Sequence, residues 1–384
     1  MNVQSHAVMR PTRVLCLSEK WESGGIEAFL TGLYEAMDLT NMAIDIMTCQ
    51  YTPGIYDERL QACGLKVRVL SGSIKRWRAN LALFTDLLHA TSYDVVHLNL
   101  YEGMALLFAR AAKQAGVPRV IVHSHNTDLH PGLLRVPKLA IHRACVETLG
   151  CYADLRWAPS QAAAAFLFGG RPWTLIRNGI DLKRFAFDPV VRAAMRAQLG
   201  ADENTRVIGC VGRLCAQKNQ TFLLRVLAQM PANTMLVLAG EGEDEKTLQD
   251  QAVSLGIAGR VRLCGTLPDV APLYSALDVL AMPSLFEGLG IVAVEAQAVG
   301  LPVVVSPAVP PEARVEEGLC KTVPLDEEIW RGALVPMARV LRGTAPATDW
   351  KAYDRDYVAF GVREAYLSGR GPMDEDVIRG QRCR

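Results

Sequence analysis

The chain has 384 residues, of which half are hydrophobic and 21% are charged, a balance typical of ordered globular proteins rather than disordered ones. A chain of this length exceeds one hydrophobic core, so we expect two domains. The net charge of +1 gives no argument for a nucleic-acid partner.

Cysteine usage and hydropathy indicate the cellular compartment. The 10 cysteines form no C-x-x-C pair and no zinc spacing, which predicts free thiols in a reducing cytosol. No apolar run approaches the roughly 20 residues that span a bilayer, and the N-terminal stretch lacks a signal-peptide core. We therefore expect a cytoplasmic protein that at most rests on the inner face of the cell membrane. The basic stretch KVRVLSGSIKRWR around Trp77 is either a solvated face or such a membrane contact.

Short β-branched runs alternate along the chain with amphipathic segments that end in glycine, which predicts parallel strands joined by helices. The first series of predicted strands is 13–18, 43–49, 66–70, 94–99, 119–125 and 155–160. The second series is 206–212, 234–240, 260–265, 278–284 and 302–306. A helical segment follows at about 350–368, and residues 372–384 are expected to fray. Two series predict an α/β fold of two doubly wound domains that face across a cleft, with ligands at the strand carboxyl ends.

The segment LFEGLGIVAVEAQAVG follows a predicted strand and should begin a helix near 289–291. Gly288 and Gly290 would let backbone amides at that helix start approach an anion. Glu287 and Glu295 then face the cleft, where carboxylates accept hydrogen bonds from the hydroxyls of a sugar or ribose. The alternative for Glu295 is that it only caps a neighbouring loop.

The segment VGRLCAQKN places Arg213 and Lys218 after Gly212 in a strand-to-helix connection. Two cations beside a glycine and opposite a helix N-terminus suit a diphosphate, without any need for a metal. Each cation alone could be an ordinary solvated surface residue. Their occurrence together with two glutamates favours a binding site.

The first half contains two weaker signals. SEKWESGGIEAFL puts Gly24 and Gly25 between a strand and a helix, where the backbone can approach a phosphate. The spacing is not G-x-G-x-x-G and no acidic residue ends the second strand, so nicotinamide binding is disfavoured. VHSHNTD ends a strand with His123 and His125, and one imidazole there could bind or deprotonate a substrate hydroxyl. A metal pair is the alternative, although no third ligand is evident.

Taken together, the motifs FEGLGIVAVEAQAVGLPVVVS, VGRLCAQKN, GEGE, CGTLPDV, RNGIDLKRF, GGIE and HSHNTD resemble the retaining GT-B glycosyltransferases of family 4, especially the bacterial exopolysaccharide and capsule branch. The resemblance runs from about residue 13 to 315. It implies an acceptor-binding Rossmann-like domain at 1–180, to which the helix at about 350–368 crosses back, and a nucleotide-sugar domain at 181–345.

By this resemblance, Arg213 and Lys218 would bind the donor diphosphate, Glu295 the ribose and Glu287 the transferred sugar. The site residues that it implies are His125, Arg213, Lys218 and Glu287 for catalysis, and Gly25, Gly212, Arg213, Lys218, Glu287, Gly288, Leu289, Gly290 and Glu295 for the donor. It also implies a UDP-hexose donor, a saccharide or lipid-linked saccharide acceptor, no cofactor and no metal. One departure from the family is SPAVPPEARV, whose extra prolines stiffen the loop before Pro311 and Glu312.

Two rival hypotheses remain at this point. The first is a nucleotide-sugar epimerase or phosphorylase of the same architecture, which would form product without an added acceptor. The second is an inactive sugar-nucleotide-binding partner protein of a polysaccharide assembly complex, which would bind the donor without ever turning it over.

Overall fold

The computed structural model describes residues 10–22, 24–129, 135–337 and 349–369. Within these ranges the strands are β1 (Thr12–Trp21), β2 (Met42–Tyr51), β3 (Val67–Val69), β4 (Val95–Leu100), β5 (Arg119–Ser124), β6 (Leu155–Ala158), β7 (Thr174–Leu175), β8 (Arg206–Val211), β9 (Thr234–Ala239), β10 (Val261–Leu263), β11 (Val279–Met282), β12 (Val303–Val305) and β13 (Cys320–Thr322). They form two sheets, ordered β3-β2-β1-β4-β5-β6-β7 and β10-β9-β8-β11-β12-β13.

The helices connect these strands in chain order. They are α1 (Gly25–Ala36), α2 (Asp57–Ala62), α3 (Trp77–Ala90), α4 (Leu106–Gln114), α5 (Arg135–Leu149), α6 (Gln161–Phe168), α7 (Pro189–Leu199), α8 (Gln220–Ala228), α9 (Glu245–Ser254), α10 (Ala271–Ala276), α11 (Ile291–Ala298), α12 (Glu327–Met337) and α13 (Arg355–Ser368). No helix in the described ranges is long and apolar enough to cross a bilayer.

All strand pairs within the two sheets are parallel, and helices cover both faces of each sheet. Strands that are covered by helices on both faces are buried on both sides. An example is β4, whose sequence is VVHLNL and which is buried along its whole length. The strand order reverses between β1 and β4 and again between β8 and β11. Each reversal opens a crevice at the strand carboxyl ends, which is where ligands bind in this fold.

The predicted fold of two doubly wound α/β domains is confirmed, and each of the eleven predicted strands overlaps an observed one. The sequence analysis missed β7 and β13, which span 2 and 3 residues and carry no apolar run that distinguishes them from loops. The helix predicted near 289–291 begins at Ile291. Residue 345 and residues 372–384 lie outside the described part of the chain.

Helix α13 packs against α1 in the first domain. The hydroxyl of Tyr366 lies 2.7 Å from Nδ1 of His97 and 3.5 Å from the hydroxyl of Tyr34. Arg119 donates to the carbonyl oxygens of Ala365 and Tyr366 at 3.0 and 2.6 Å, so it also holds the last turn of the helix. These contacts return the C-terminal helix to the first domain after the chain has completed the second.

Candidate active site

The two domains meet at the loop between β11 and α11. Thr127, after β5, donates to the carbonyl oxygen of Glu287 at 3.1 Å, and Ser160, at the start of α6, donates to that of Gly288 at 2.6 Å. A Cβ atom on Gly288 would lie 2.1 Å from the carbonyl oxygen of His125. Only glycine allows this approach, so the position of Gly288 follows from the domain contact.

A second contact joins the domains at the proline-rich loop SPAVPPEARV. Oε1 of Glu312 accepts a hydrogen bond from the backbone amide of Gln161 at 2.6 Å. The loop therefore holds the start of α6, an interdomain role that the sequence did not indicate.

Lys218 and Glu287 form an ion pair at the bottom of the cleft, with 2.6 Å between Nζ and Oε1. Ser284 donates to the same oxygen at 2.7 Å, and Glu287 is 5% exposed. Burial acts to lower the pKa of Lys218, but the attraction of Glu287 outweighs it and the pKa is raised. Gly212 leaves room for this lysine, since a Cβ there would lie 3.3 Å from its Cε. We call Lys218, Ser284 and Glu287 the floor of the cleft.

Arg213 lies at the edge of the cleft and binds two carboxylates. Its Nη1 is 2.7 Å from Oε1 of Glu22, which follows β1 in the first domain, and its Nε is 3.2 Å from Oε2 of Glu243. Burial acts to lower the pKa of Arg213, and these two carboxylates more than compensate, so the pKa is raised. We call Glu22, Arg213 and Glu243 the rim. Its arginine is a half-exposed cation that bridges the two domains.

Two helix starts beside the cleft have backbone amides that bond to no acceptor in the described ranges. Gly290 has a φ of 85° and is the N-cap of α11, a conformation that favours glycine. Among the described residues, no acceptor takes the amides of Gly288, Leu289, Gly290 or, at the start of α1, Gly25. The side chain of Leu289 is buried in the core, so only its backbone faces a ligand. Unpaired amides at a helix N-terminus attract anions.

Glu295 lies one turn into α11 and lines a cavity between the two domains. Its Oε2 accepts a hydrogen bond from the hydroxyl of Tyr274 at 2.8 Å. Burial raises the pKa of Glu295, and the bond from Tyr274 partly opposes this shift. The observed partner is a side chain and not a loop backbone, so this oxygen of Glu295 does not cap a neighbouring loop.

His125 directly follows β5, and its Nε2 lies 2.8 Å from Oδ1 of Asn99. The amide nitrogen of Asn99 faces the carbonyl oxygen of Leu17, so Oδ1 accepts the proton of Nε2. Burial lowers the pKa of His125 to about 3. The ring is therefore neutral at pH 7 with Nδ1 as an acceptor, which favours a hydrogen-bonding role over proton abstraction.

His123 belongs to the core and not to the cleft. It is fully buried, and its ring centre lies 4.1 Å from that of His125 and 5.6 Å from that of His97. No group of three or more His, Cys, Asp or Glu side chains in the described ranges is arranged to hold a metal ion.

The structure adds contacts that the sequence analysis missed. Ser284 stands three residues before Glu287 in the same loop, so its proximity to the site was a local signal that could have been used. Tyr274 and Glu22 reach Glu295 and Arg213 from elements distant in sequence, and no local pattern indicates them.

Two Rossmann-like domains that face across a cleft form the GT-B architecture, and comparison with known proteins identifies the class of enzyme. The family model "Glycosyl transferase 4-like domain" matches residues 24–179, and "Glycosyl transferases group 1" matches residues 191–323. The chain is 30% identical over 332 residues to the Bacillus subtilis protein named "Putative glycosyltransferase EpsF", covering 83% of this chain and 85% of EpsF. The chain therefore belongs to family 4 of the GT-B glycosyltransferases.

Other relatives extend the comparison. The chain is 34% identical over 218 residues to a GDP-mannose-dependent alpha-(1-6)-phosphatidylinositol monomannoside mannosyltransferase of Mycolicibacterium smegmatis, covering 52% of this chain and 54% of that protein. The crystal structure of Anabaena HepE in complex with UDP and glucose superposes with a TM-score of 0.77 and 25% identity, covering 93% of this chain and 100% of HepE.

Proposed function

We propose that this glycosyltransferase moves a hexose from a nucleotide-diphosphate sugar to a saccharide or lipid-linked saccharide in polysaccharide biosynthesis, with retention of anomeric configuration. The observation that carries the proposal is the convergence of Arg213, Lys218 and the free amides of α11 on one cleft. UDP is the proposed nucleotide, supported by the HepE structures in complex with UDP and with UDP-glucose.

In this proposal each group of the site has one task. Lys218 and Arg213 neutralise the diphosphate and the charge that develops as it leaves, together with amides at Gly25 and Gly288. Oε1 of Glu287 is occupied by Lys218 and Ser284, and Oε2 is left to accept a hydroxyl of the transferred sugar.

The remaining two side chains bind the ends of the donor. Glu295 takes the ribose hydroxyls through Oε1, since Oε2 already accepts from Tyr274. His125 accepts a hydrogen bond at Nδ1 from the donor sugar or the acceptor.

The proposed reaction uses no metal and no cofactor. A diphosphate leaving group carries negative charge, which two cations and helix-start amides can stabilise where other enzymes use a divalent ion. Turnover that persists in excess EDTA is the expected result, and activity that returns only with added Mg²⁺ or Mn²⁺ would contradict this part of the proposal.

We also place the enzyme in the cytoplasm at the inner face of the membrane, where a lipid-linked acceptor would lie. Trp77 is 38% exposed beside Arg76 and Arg78, and α5 exposes Val136 and Ile141. The beginning of LLRVPKLAIHRACV lies outside the described residues. Basic side chains contribute about 1 kcal/mol each near an anionic surface. Sedimentation with anionic vesicles at low salt should therefore be stronger than with neutral ones.

The proposal is tested by assaying UDP and GDP sugars with and without saccharide acceptors. We expect product with the α or β configuration of the donor retained, and only when an acceptor is added. Arg213→Ala should lose most of the activity, whereas Arg225→Ala, which removes an equally exposed arginine paired with Glu327, should not. Product without acceptor would favour the epimerase, and donor binding without turnover would favour the inactive partner protein.

A further inference from the structure

A cavity between the two domains is lined by Glu295 and by none of the other proposed donor residues. Its volume is about 80 Å³, and it is open to solvent. Glu295 and Arg184 line it from the second domain, and Tyr56, Arg59 and Gly32 line it from the first. A Cβ atom on Gly32 would meet nothing within 4 Å, so α1 leaves this space open.

The wall from the first domain is rigid. Nε and Nη2 of Arg59 each donate to a carboxylate oxygen of Glu35 at 2.7 Å, a bidentate pair. Glu35 is fixed further by Arg355 at 3.2 Å. The guanidinium of Arg59 in turn lies over the ring of Tyr56, 5.7 Å from its centre. This arrangement holds the phenol of Tyr56 at the cavity wall.

The two walls carry complementary polar groups. Oε2 of Glu295 accepts from Tyr274, whereas Oε1 has no partner among the described residues. The hydroxyl of Tyr56 likewise makes no hydrogen bond within the described ranges. Burial, followed by the negative charge of Glu295, raises the pKa of Tyr56 to about 12, so the hydroxyl keeps its proton at neutral pH. One wall therefore offers an acceptor and the other a donor.

We propose that Tyr56 is a second ligand of the donor ribose, contributed by the first domain and facing Glu295 across the cavity. This inference rests on the proposed function. A ribose diol both donates and accepts, so Glu295 can take a hydroxyl proton while Tyr56 donates to a hydroxyl oxygen. Arg59 acts as a positioning residue through the Tyr56 ring. The nucleoside then binds to both domains at once, and its affinity depends on how they are placed.

The experiment measures binding of UDP, 2′-deoxy-UDP and 3′-deoxy-UDP by calorimetry to the wild type, Tyr56→Phe and Tyr152→Phe. Tyr152 is a half-buried tyrosine of the same domain that does not line the cavity. Loss of one hydrogen bond should weaken UDP binding by about threefold to tenfold in Tyr56→Phe and leave it unchanged in Tyr152→Phe. For the deoxy analogue that lacks the hydroxyl bound by Tyr56, the affinity lost through Tyr56→Phe and the affinity lost through the missing hydroxyl should not add. Both changes remove the same contact.

Arg59→Met provides the second variant. It should weaken UDP binding less than Tyr56→Phe does, and in the double variant it should add little, because it acts through Tyr56.

The outcomes distinguish a failure of the ribose contact from a failure of the proposed function. The ribose contact is wrong, and the proposed function stands, if Tyr56→Phe binds UDP as tightly as the wild type. The same holds if the affinity lost in Tyr56→Phe adds fully to the affinity lost with each deoxy analogue. If the wild type binds neither UDP nor GDP, the proposed function fails and the ribose contact fails with it.

Discussion

Lys218 on the floor of the cleft and Arg213 on its rim belong to the same strand-to-helix connection, but the two cations differ in their partners and in their exposure. Lys218 is paired inside the second domain with a buried carboxylate at 2.6 Å, and Ser284 completes the contact. Arg213 is 45% exposed and shared between carboxylates of both domains. The floor is thus preorganised, whereas a ligand on the rim must compete with a contact that already joins the domains.

The largest expected effect follows from removing the floor cation. Lys218→Met should lower kcat/KM by about 100- to 1000-fold, the usual cost of one transition-state donor. It should also reduce the free energy of unfolding by about 3 kcal/mol, because Glu287 would stay buried without its partner. Steady-state kinetics and urea unfolding measure the two effects.

A double variant distinguishes catalysis from stability on the floor. Lys218→Met combined with Glu287→Gln removes both charges, so we expect most of the stability to return while the activity stays low. Lys246→Met is the matched control, since Lys246 is 85% exposed and pairs with Asp250 on the same helix. Recovery of activity in the double variant would show that Lys218 only neutralises Glu287.

The next largest effect is expected from disrupting the domain contact beside the floor of the cleft. Gly288→Ala would place a Cβ atom 2.1 Å from the carbonyl oxygen of His125, so the loop or the first domain must move. Displacement of groups that position substrates by about 1 Å can reduce the rate by up to about 100-fold, and we expect at least a tenfold loss in kcat/KM. Gly259→Ala is the control, since a Cβ there meets nothing within 4 Å. Unchanged kinetics for Gly288→Ala would mean that this contact is not maintained during turnover.

A smaller effect concerns pH and the buried side of the cleft. Burial lowers the pKa of His125 to about 3, so between pH 3 and 6.5 the unfolded chain binds more protons than the folded one. The stability from the neutral ring is complete above about pH 6.5 and is lost as the pH falls. Below pH 6.5 the free energy of unfolding of His125→Gln should therefore fall less steeply than that of the wild type. The difference in slope should be about 1 kcal/mol per pH unit.

Urea unfolding at pH 5, 6 and 7 measures that slope for the wild type and for His125→Gln. The exposed His89 supplies the control variant His89→Gln, which removes an imidazole without opening a buried site. Parallel pH dependences for the wild type and His125→Gln would contradict the burial argument.

The floor was largely predictable from the sequence, whereas only Arg213 of the rim was. Gly212, Lys218, Glu287 and Gly290 lie in two short loops that directly follow buried strands, so strand periodicity alone brings them to the same edge of a parallel sheet. The two doubly wound domains were predictable for the same reason, because β-branched runs recur at regular intervals.

The rim depends on the relative placement of two domains, which no local pattern encodes. Glu22 meets Arg213 across 191 positions of sequence, and Tyr56 reaches the cavity of Glu295 from a short helix in the other domain. The low pKa of His125 also depends on tertiary burial, which the sequence motif HSHNTD does not show.

The smallest expected effect tests the rim directly. If Arg213 binds the donor diphosphate, the phosphate must replace or share the 2.7 Å contact with Glu22. Exposed ion pairs contribute about 0.2 to 1 kcal/mol, so Glu22→Gln should tighten UDP binding by about 1.5- to fivefold. The gain should shrink as salt is added, because screening weakens the pair that the variant removes. Calorimetry at about 50 and about 300 mM NaCl, between which the Debye length falls from roughly 14 to roughly 6 Å, measures both.

Glu243→Gln is the matched control, since Glu243 contacts the same guanidinium at 3.2 Å from within the second domain. Removal of Glu243 also frees charge on Arg213, but it leaves the interdomain contact in place. A larger gain for Glu22→Gln than for Glu243→Gln would therefore show that the donor competes with a link between the domains and not with negative charge in general. Equal gains would mean that the rim acts only through its net charge, and weaker UDP binding in Glu22→Gln would show that Glu22 orients Arg213 for the phosphate.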